Sequence, residues 1–173
     1  MKQFFKSRLL SHSLLLLALS SLIACGFQLR GAQMVGFTGS NIYVENENAT
    51  RLKEQVELQL KGAGVKLTDS PQDATYVIRL KNEKFERSVL SVSATTGKVE
   101  EYLITYTANM DATEKGGKQL SSNDNIKLSR DYAFDEGAVL GTFSEETVIR
   151  EDLVFRASSQ VLRRLQALIA GQQ

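Results

Sequence analysis

Few side chains in this 173-residue chain are of types that do covalent or metal chemistry. There is one cysteine, Cys25, and one histidine, His12, both in the N-terminal segment. One thiol cannot close a disulfide within the chain, and one cysteine with one histidine cannot complete a His/Cys zinc site, which takes three or four such ligands. A lone cysteine can accept a lipid, or pack as a small hydrophobe. Any remaining chemistry would have to run on carboxylates alone, as glycoside hydrolysis does. The acidic pairs available are Glu100-Glu101 and Glu145-Glu146. Adjacent residues on a strand face opposite sides, which separates the first pair. The second suits the start of a helix, where acidic side chains meet the positive end of the dipole. Neither forms an acid/base constellation, so no enzymatic activity is expected.

The surroundings of Cys25 decide between its two uses. Lys2, Lys6 and Arg8 give a positive start, Leu14 to Leu19 an apolar run, and Leu22-Ile23-Ala24-Cys25-Gly26 follows. This order is that of a secretory signal, and its end resembles the bacterial lipoprotein pattern, with Leu at −3, Ala at −1 and Cys at +1. Ser11, His12, Ser13, Ser20 and Ser21 interrupt the run, against a membrane-spanning helix of roughly 20 apolar residues. The lipoprotein pattern implies an S-diacylglycerol and an N-acyl group on Cys25. At about 0.8 kcal/mol per buried methylene, three acyl chains tether a protein almost permanently. Gly26, where an aspartate would hold a lipoprotein in the inner membrane, implies outer-membrane sorting with a periplasmic-side anchor. Residues 1–24 are thus expected as signal peptide, 25–40 as a glycine-punctuated lipidated tether, and 41–173 as a single domain. Cleavage removes three of the 21 basic residues and none of the 20 acidic ones, leaving a net charge of −2. That balance offers no basic excess for nucleic acid. His12 leaves with the signal, which excludes a Ser-His-Asp triad and a Cys-His pair from the mature chain.

The mature segment must then supply an architecture. Ile42-Tyr43-Val44 predicts a strand. Leu52, Val56 and Leu60 at i, i+4 and i+8 predict an amphipathic helix, capped by Thr50 or Asn48 and stopped by Gly62 and Gly64. A stub at Val65 to Thr68 leads to a turn at Asp69-Ser70-Pro71. Thr75 to Arg87 alternates and continues extended through Val89 to Ala94, towards a hairpin tip at Thr95-Thr96-Gly97-Lys98. From Val99 to Thr113, Tyr102, Ile104, Tyr106, Ala108, Met110 and Ala112 share one face. Leu103, Thr105, Thr107, Asn109 and Asp111 share the other, so one face is core and the other is wet or meets a partner. Lys115-Gly116-Gly117-Lys118 turns the chain into a strand at Ile126 to Phe134, after a ragged start at Ser121 to Asn125. A terminal helix follows, with a capping box at Thr142 and Glu145 or a competing cap at Ser144. Its apolar stripe is Val154, Ala157, Val161, Leu165 and Leu168, and Gly171 ends it. The order strand-helix-strands-helix predicts an α+β fold, with two helices on one face of a mostly antiparallel or mixed four-stranded sheet.

The motif Cys25-Gly26-Phe27-Gln28-Leu29-Arg30-Gly31 resembles the mature start of the LptE family, lipopolysaccharide-assembly lipoproteins of the outer membrane. Tyr132-Ala133-Phe134-Asp135, Ala138-Val139-Leu140 and Arg163-Arg164-Leu165 resemble that family's strand end, small-residue loop and terminal helix. The resemblance implies a noncatalytic protein that sits as a plug in the LptD β-barrel, helps it assemble and assists delivery of lipopolysaccharide to the surface. It implies LptD and lipopolysaccharide as partners, and no cofactor beyond the lipid on Cys25. A lipopolysaccharide site calls for Lys or Arg donors to its phosphates. Lys98 at one hairpin tip and Lys115 and Lys118 at the other are the candidates. No Lys or Arg lies between Arg130 and Arg150, a departure from the family's loop before the last helix. Two other functions fit the same lipoprotein pattern: a different outer-membrane binding module, such as a cell-wall synthase activator or secretion pilot, and a carboxylate enzyme acting on peptidoglycan.

Overall fold

The computed structural model describes Phe37, residues 39–135, Gly137 and residues 139–171, without the side chains of residues 139–143. Cys25, the signal, the motif at 25–31, Ala138 and most of the tether lie outside the described residues. The elements run β1 (Asn41–Glu47), α1 (Thr50–Gly62), β2 (Lys66–Leu67), a 3-10 turn (Pro71–Asp73), β3 (Tyr76–Val92), β4 (Val99–Glu114), β5 (Lys118–Ala133) and α2 (Val139–Ala170). They form one sheet in the order β2-β1-β3-β4-β5, with β1 parallel to both β2 and β3 and the remaining pairs antiparallel.

The sheet therefore has five strands rather than the four expected. The extra one is the stub: Lys66 and Leu67 pair only with Asn41 and Ile42. Two residues carry no period, so only the main-chain pairing reveals a strand there. β5 likewise starts at Lys118, ahead of the apolar run at Ile126. Its polar first half is held through a bulge, where Asn123, at φ 54, donates its N–H to Asp111 Oδ1 at 2.7 Å.

Both helices pack on one sheet face. Leu52, Val56 and Leu60 of α1 are fully buried, as the i, i+4, i+8 spacing predicts. The start of α1 differs from expectation. Ala49 is its N-cap, and the side chains that serve it come from elsewhere: Asn46 Oδ1 accepts from Ala49 N at 2.7 Å, and Glu83 of β3 accepts from Arg51 N at 3.1 Å. At its end only Gly64, at φ 74, is left-handed, while Gly62 is still helical. In α2, Val154, Ala157, Val161 and Leu165 are buried as expected, joined by Ile149, Leu153, Leu162 and Ile169, and Leu168 is partly buried. α2 begins at Val139, ahead of both Thr142 and Ser144, so neither can be its N-cap. Ile104, Tyr106, Ala108, Met110 and Ala112 of β4 line the same core. Phe37, within the expected tether, is 2% exposed and belongs to this core. No helix among the described residues is long and apolar enough to cross a membrane.

Candidate functional site

β4 separates the lysine candidates. Lys98 lies just before its first residue, while Lys115 and Lys118 lie just beyond its last. At about 3.4 Å per residue an extended strand of this length holds them roughly 50 Å apart. They form two distinct positions and not one site. All three are exposed, and Lys118 pairs with Glu114 at 3.5 Å. The acidic pairs are separated as well. Glu101 accepts a hydrogen bond from Ser91 Oγ at 2.7 Å, and Glu100 uses its main-chain carbonyl to receive Phe134 N. Glu145 is exposed, whereas Glu146 is turned inward.

Glu146 is the centre of a clasp between α2 and the sheet. Its Oε1 accepts from Arg150 Nη2 at 2.6 Å and Nε at 2.9 Å, one turn along the helix. Its Oε2 accepts from Tyr132 OH at 2.9 Å on β5 and from Arg87 Nη1 at 3.2 Å on β3. The two arginines rest on rings: Arg87 lies 4.7 Å from the Tyr102 centroid and Arg150 4.9 Å from that of Phe85. Phe85 meets Tyr106 edge-on at 4.9 Å, and Tyr106 donates to Glu83 Oε1 at 3.1 Å. Tyr102 stacks on Tyr132 and meets Phe134 edge-on. Burial alone would raise the Glu146 pKa, but hydrogen bonds from Arg150 and Tyr132 and the charge of Arg150 outweigh it and hold the carboxyl below its ordinary value. Burial pushes the Tyr106 hydroxyl well above the usual phenol range, and the neighbouring Glu83 carboxylate adds to it, so Tyr106 is a permanent donor. A carboxylate saturated by cations and a phenol that stays protonated describe a fixed joint. A catalytic acid needs the opposite, a proton that moves near the working pH.

Among the described residues, neither helix packs on the other face of the sheet. Thr105, Thr107, Asn109 and Asp111 lie on it, as the alternation predicts, and cross-strand register extends the row on both sides. Lys81 is opposite Asn109, Lys84 opposite Thr107 and Glu86 opposite Thr105 on β3, while Asn125, Lys127 and Ser129 oppose the same three residues on β5. Lys81 pairs with Asp111 at 2.7 Å, Arg79 with Glu45 at 2.7 Å, and Thr105 and Ser129 share a hydrogen bond at 3.1 Å. This is a floor of hydroxyls, amides and locally paired charges. It can hydrogen-bond to a polar wall or to water, and it offers little apolar area to drive tight burial. The two hydroxyls and one amide on β4 were legible as the polar half of an alternating strand. Lys84, Lys127 and the clasp of Arg87, Tyr132 and Glu146 were not, because each depends on register between strands.

A family model described as LptE, Lipopolysaccharide-assembly, matches residues 40–165. A search of curated proteins finds no match. Among solved structures, the rare lipoprotein B of Shewanella oneidensis is 23% identical, with a TM-score of 0.67, covering 76% of this chain and 98% of that one. Lipoprotein B of Nitrosomonas europaea is 22% identical, with a TM-score of 0.70, covering 84% of this chain and 93% of that one. A minor lipoprotein of Acinetobacter baumannii is 22% identical, with a TM-score of 0.60, covering 74% of this chain and 91% of that one. At these identities the likeness is one of fold.

Proposed function

The chain belongs to the LptE family of lipopolysaccharide-assembly proteins, and from that premise we propose that it is a noncatalytic outer-membrane lipoprotein that plugs the LptD β-barrel. In this reading it helps the barrel assemble and assists delivery of lipopolysaccharide to the cell surface. Cys25 carries the acyl chains that tether it to the periplasmic side of the outer membrane. The observation that carries the reading is the two-sided sheet. One face is sealed by α1 and α2, and the other presents Thr105, Thr107 and Asn109 with paired charges around them. A plug inside a barrel must meet a polar, wet lumen wall, and this face has the chemistry to do so without exposing the core.

The test is isolation of the tagged mature protein from its own outer membranes in mild detergent. A large β-barrel at equal stoichiometry, with acyl mass on Cys25, supports the reading. A cell-wall synthase or secretion pore in place of the barrel, or an unmodified Cys25, overturns it.

Lipopolysaccharide contact is expected at one hairpin tip, at Lys98 or at Lys115 with Lys118, because both ends cannot serve one phosphorylated headgroup across the length of β4. Either Lys98→Ala, or Lys115→Ala with Lys118→Ala, should weaken lipopolysaccharide binding about threefold to tenfold, with a loss that shrinks as salt rises, and the other should leave it unchanged. Equal losses from both, or a loss from neither, in a binding titration would remove a single tip as the contact.

A further inference from the structure

Among the described strands, β3 loses a neighbour partway along. β1 accompanies it only as far as Lys81, and the last main-chain bond on that side is Glu83 N to Asn48 O at 2.9 Å. From residue 84 to 92, β3 is paired with β4 alone among the described residues. An open edge presents unpaired N–H and C=O groups that another extended chain can complete. Proteins guard such edges with charge or proline, and the near part of this one is guarded: Lys84 pairs with Glu86, and Arg87 is drawn into the Glu146 clasp. The far part, Ser88-Val89-Leu90-Ser91-Val92, has no charge and no proline. Val89, Leu90 and Val92 are 51%, 48% and 53% exposed, among the few large apolar side chains left in solvent. Register shifts around Ser91 bend this stretch and keep the pairing short.

We infer that the edge of β3 at Ser88–Val92 is an interaction surface that takes an extended, uncharged segment of a partner protein, rich in β-branched or aromatic residues, as an added strand. Main-chain hydrogen bonds would supply the affinity, and the half-exposed side chains would select apolar neighbours. A second copy of this chain is the poorer occupant. A stable interface needs roughly 20–30 residues on each side, and this edge supplies far fewer, so its occupant belongs to a partner already held by other contacts. Resting on the function proposed above, that partner is the barrel, and the added strand is an extended loop or lumen segment of it.

The test places a photo-crosslinking residue in the full lipidated chain, in its own membranes. Leu90→p-benzoylphenylalanine and Ser88→p-benzoylphenylalanine probe the edge, and Leu58→p-benzoylphenylalanine, on the exposed face of α1, serves as reference. Adducts from both edge positions to one short barrel segment, at different yield or peptide from the reference, are expected. Val89→Lys with Leu90→Lys should then lower the yield from Ser88 about fivefold, because added charge blocks edge pairing. These side chains are half exposed, so thermal unfolding should not move. A self-adduct, or an adduct to lipid only, overturns the inference. A co-isolated barrel with no edge adduct overturns it and leaves the plug reading standing. Absence of the barrel from the isolate overturns both.

Discussion

Replacing Leu165 with aspartate is expected to unfold the domain. Leu165 is fully buried on α2, in a stripe with Val161 and Ile169 that faces the sheet core. Losing a buried leucine costs about 2–5 kcal/mol from transfer and cavity terms alone. Aspartate then brings a carboxylate with no partner, worth several kcal/mol more, or a neutral acid with unsatisfied oxygens. A domain of ordinary stability has about 5–15 kcal/mol in total, so the variant should lose most or all of its cooperative melting transition. Circular dichroism melts decide it, with two companions. Leu165→Met preserves volume and should cost less than about 1.5 kcal/mol. Phe155→Asp, on the same helix but 52% exposed, should stay within about 0.5 kcal/mol of the parent. A melt of Leu165→Asp within a few degrees of the parent would mean that the stripe does not seal the sheet.

The residues that make Leu165 predictable also show where sequence is informative. An apolar period is a statement about one face of one element, and it was readable in Leu52-Val56-Leu60, in the 102–112 alternation of β4 and in the α2 stripe. The helix-free face followed from the same alternation. The strands without a period were not readable. β2 has two residues and exists only because Asn41 and Ile42 offer it main-chain partners, and the polar half of β5 is held by pairing to β4 and by Asp111. Charged residues were harder still. Lys98, Lys115 and Lys118 share a type and a turn setting, yet the strand between them keeps them far apart. Glu146 was visible as half of an acidic pair, but its partners Arg87 and Tyr132 lie 59 and 14 positions away. Only Arg150, at i+4, was in reach of a spacing rule. The family came from neither period nor charge. It was carried by the order of short motifs, and the family match over residues 40–165 bears that resemblance out.

Glu146→Ala is expected to destabilise the domain by about 2–3 kcal/mol, the range for hydrogen bonds to a charged group whose partners are left unpaired. It strips Arg150, Arg87 and Tyr132 of their shared acceptor at once, and these join α2, β3 and β5. The Glu146 side chain is 14% exposed, so water repairs little of the loss. Asp152→Ala is the control. Asp152 also accepts from two arginines, Arg130 and Arg156, but at 27% exposure with both cations well exposed. Such surface pairs contribute at most about 1 kcal/mol. Glu146→Gln isolates the charge and gives the effect a pH signature. The Glu146 pKa is lowered in the folded chain from an ordinary value of 4.5, so in acid the unfolded chain takes up its proton first. Its stabilisation is complete above the unfolded pKa and is lost as pH falls through the folded one. Asp111, lowered from 3.8 where burial is outweighed by Lys81 and the Asn123 N–H, contributes in the same direction and remains in the variant. Denaturant unfolding between about pH 6 and pH 3 should therefore fall more steeply for the parent than for Glu146→Gln, without the variant becoming flat. Parallel slopes would show that the carboxylate is no more stabilised in the folded chain than in water, and the clasp would reduce to packing among Phe85, Tyr102 and Tyr132.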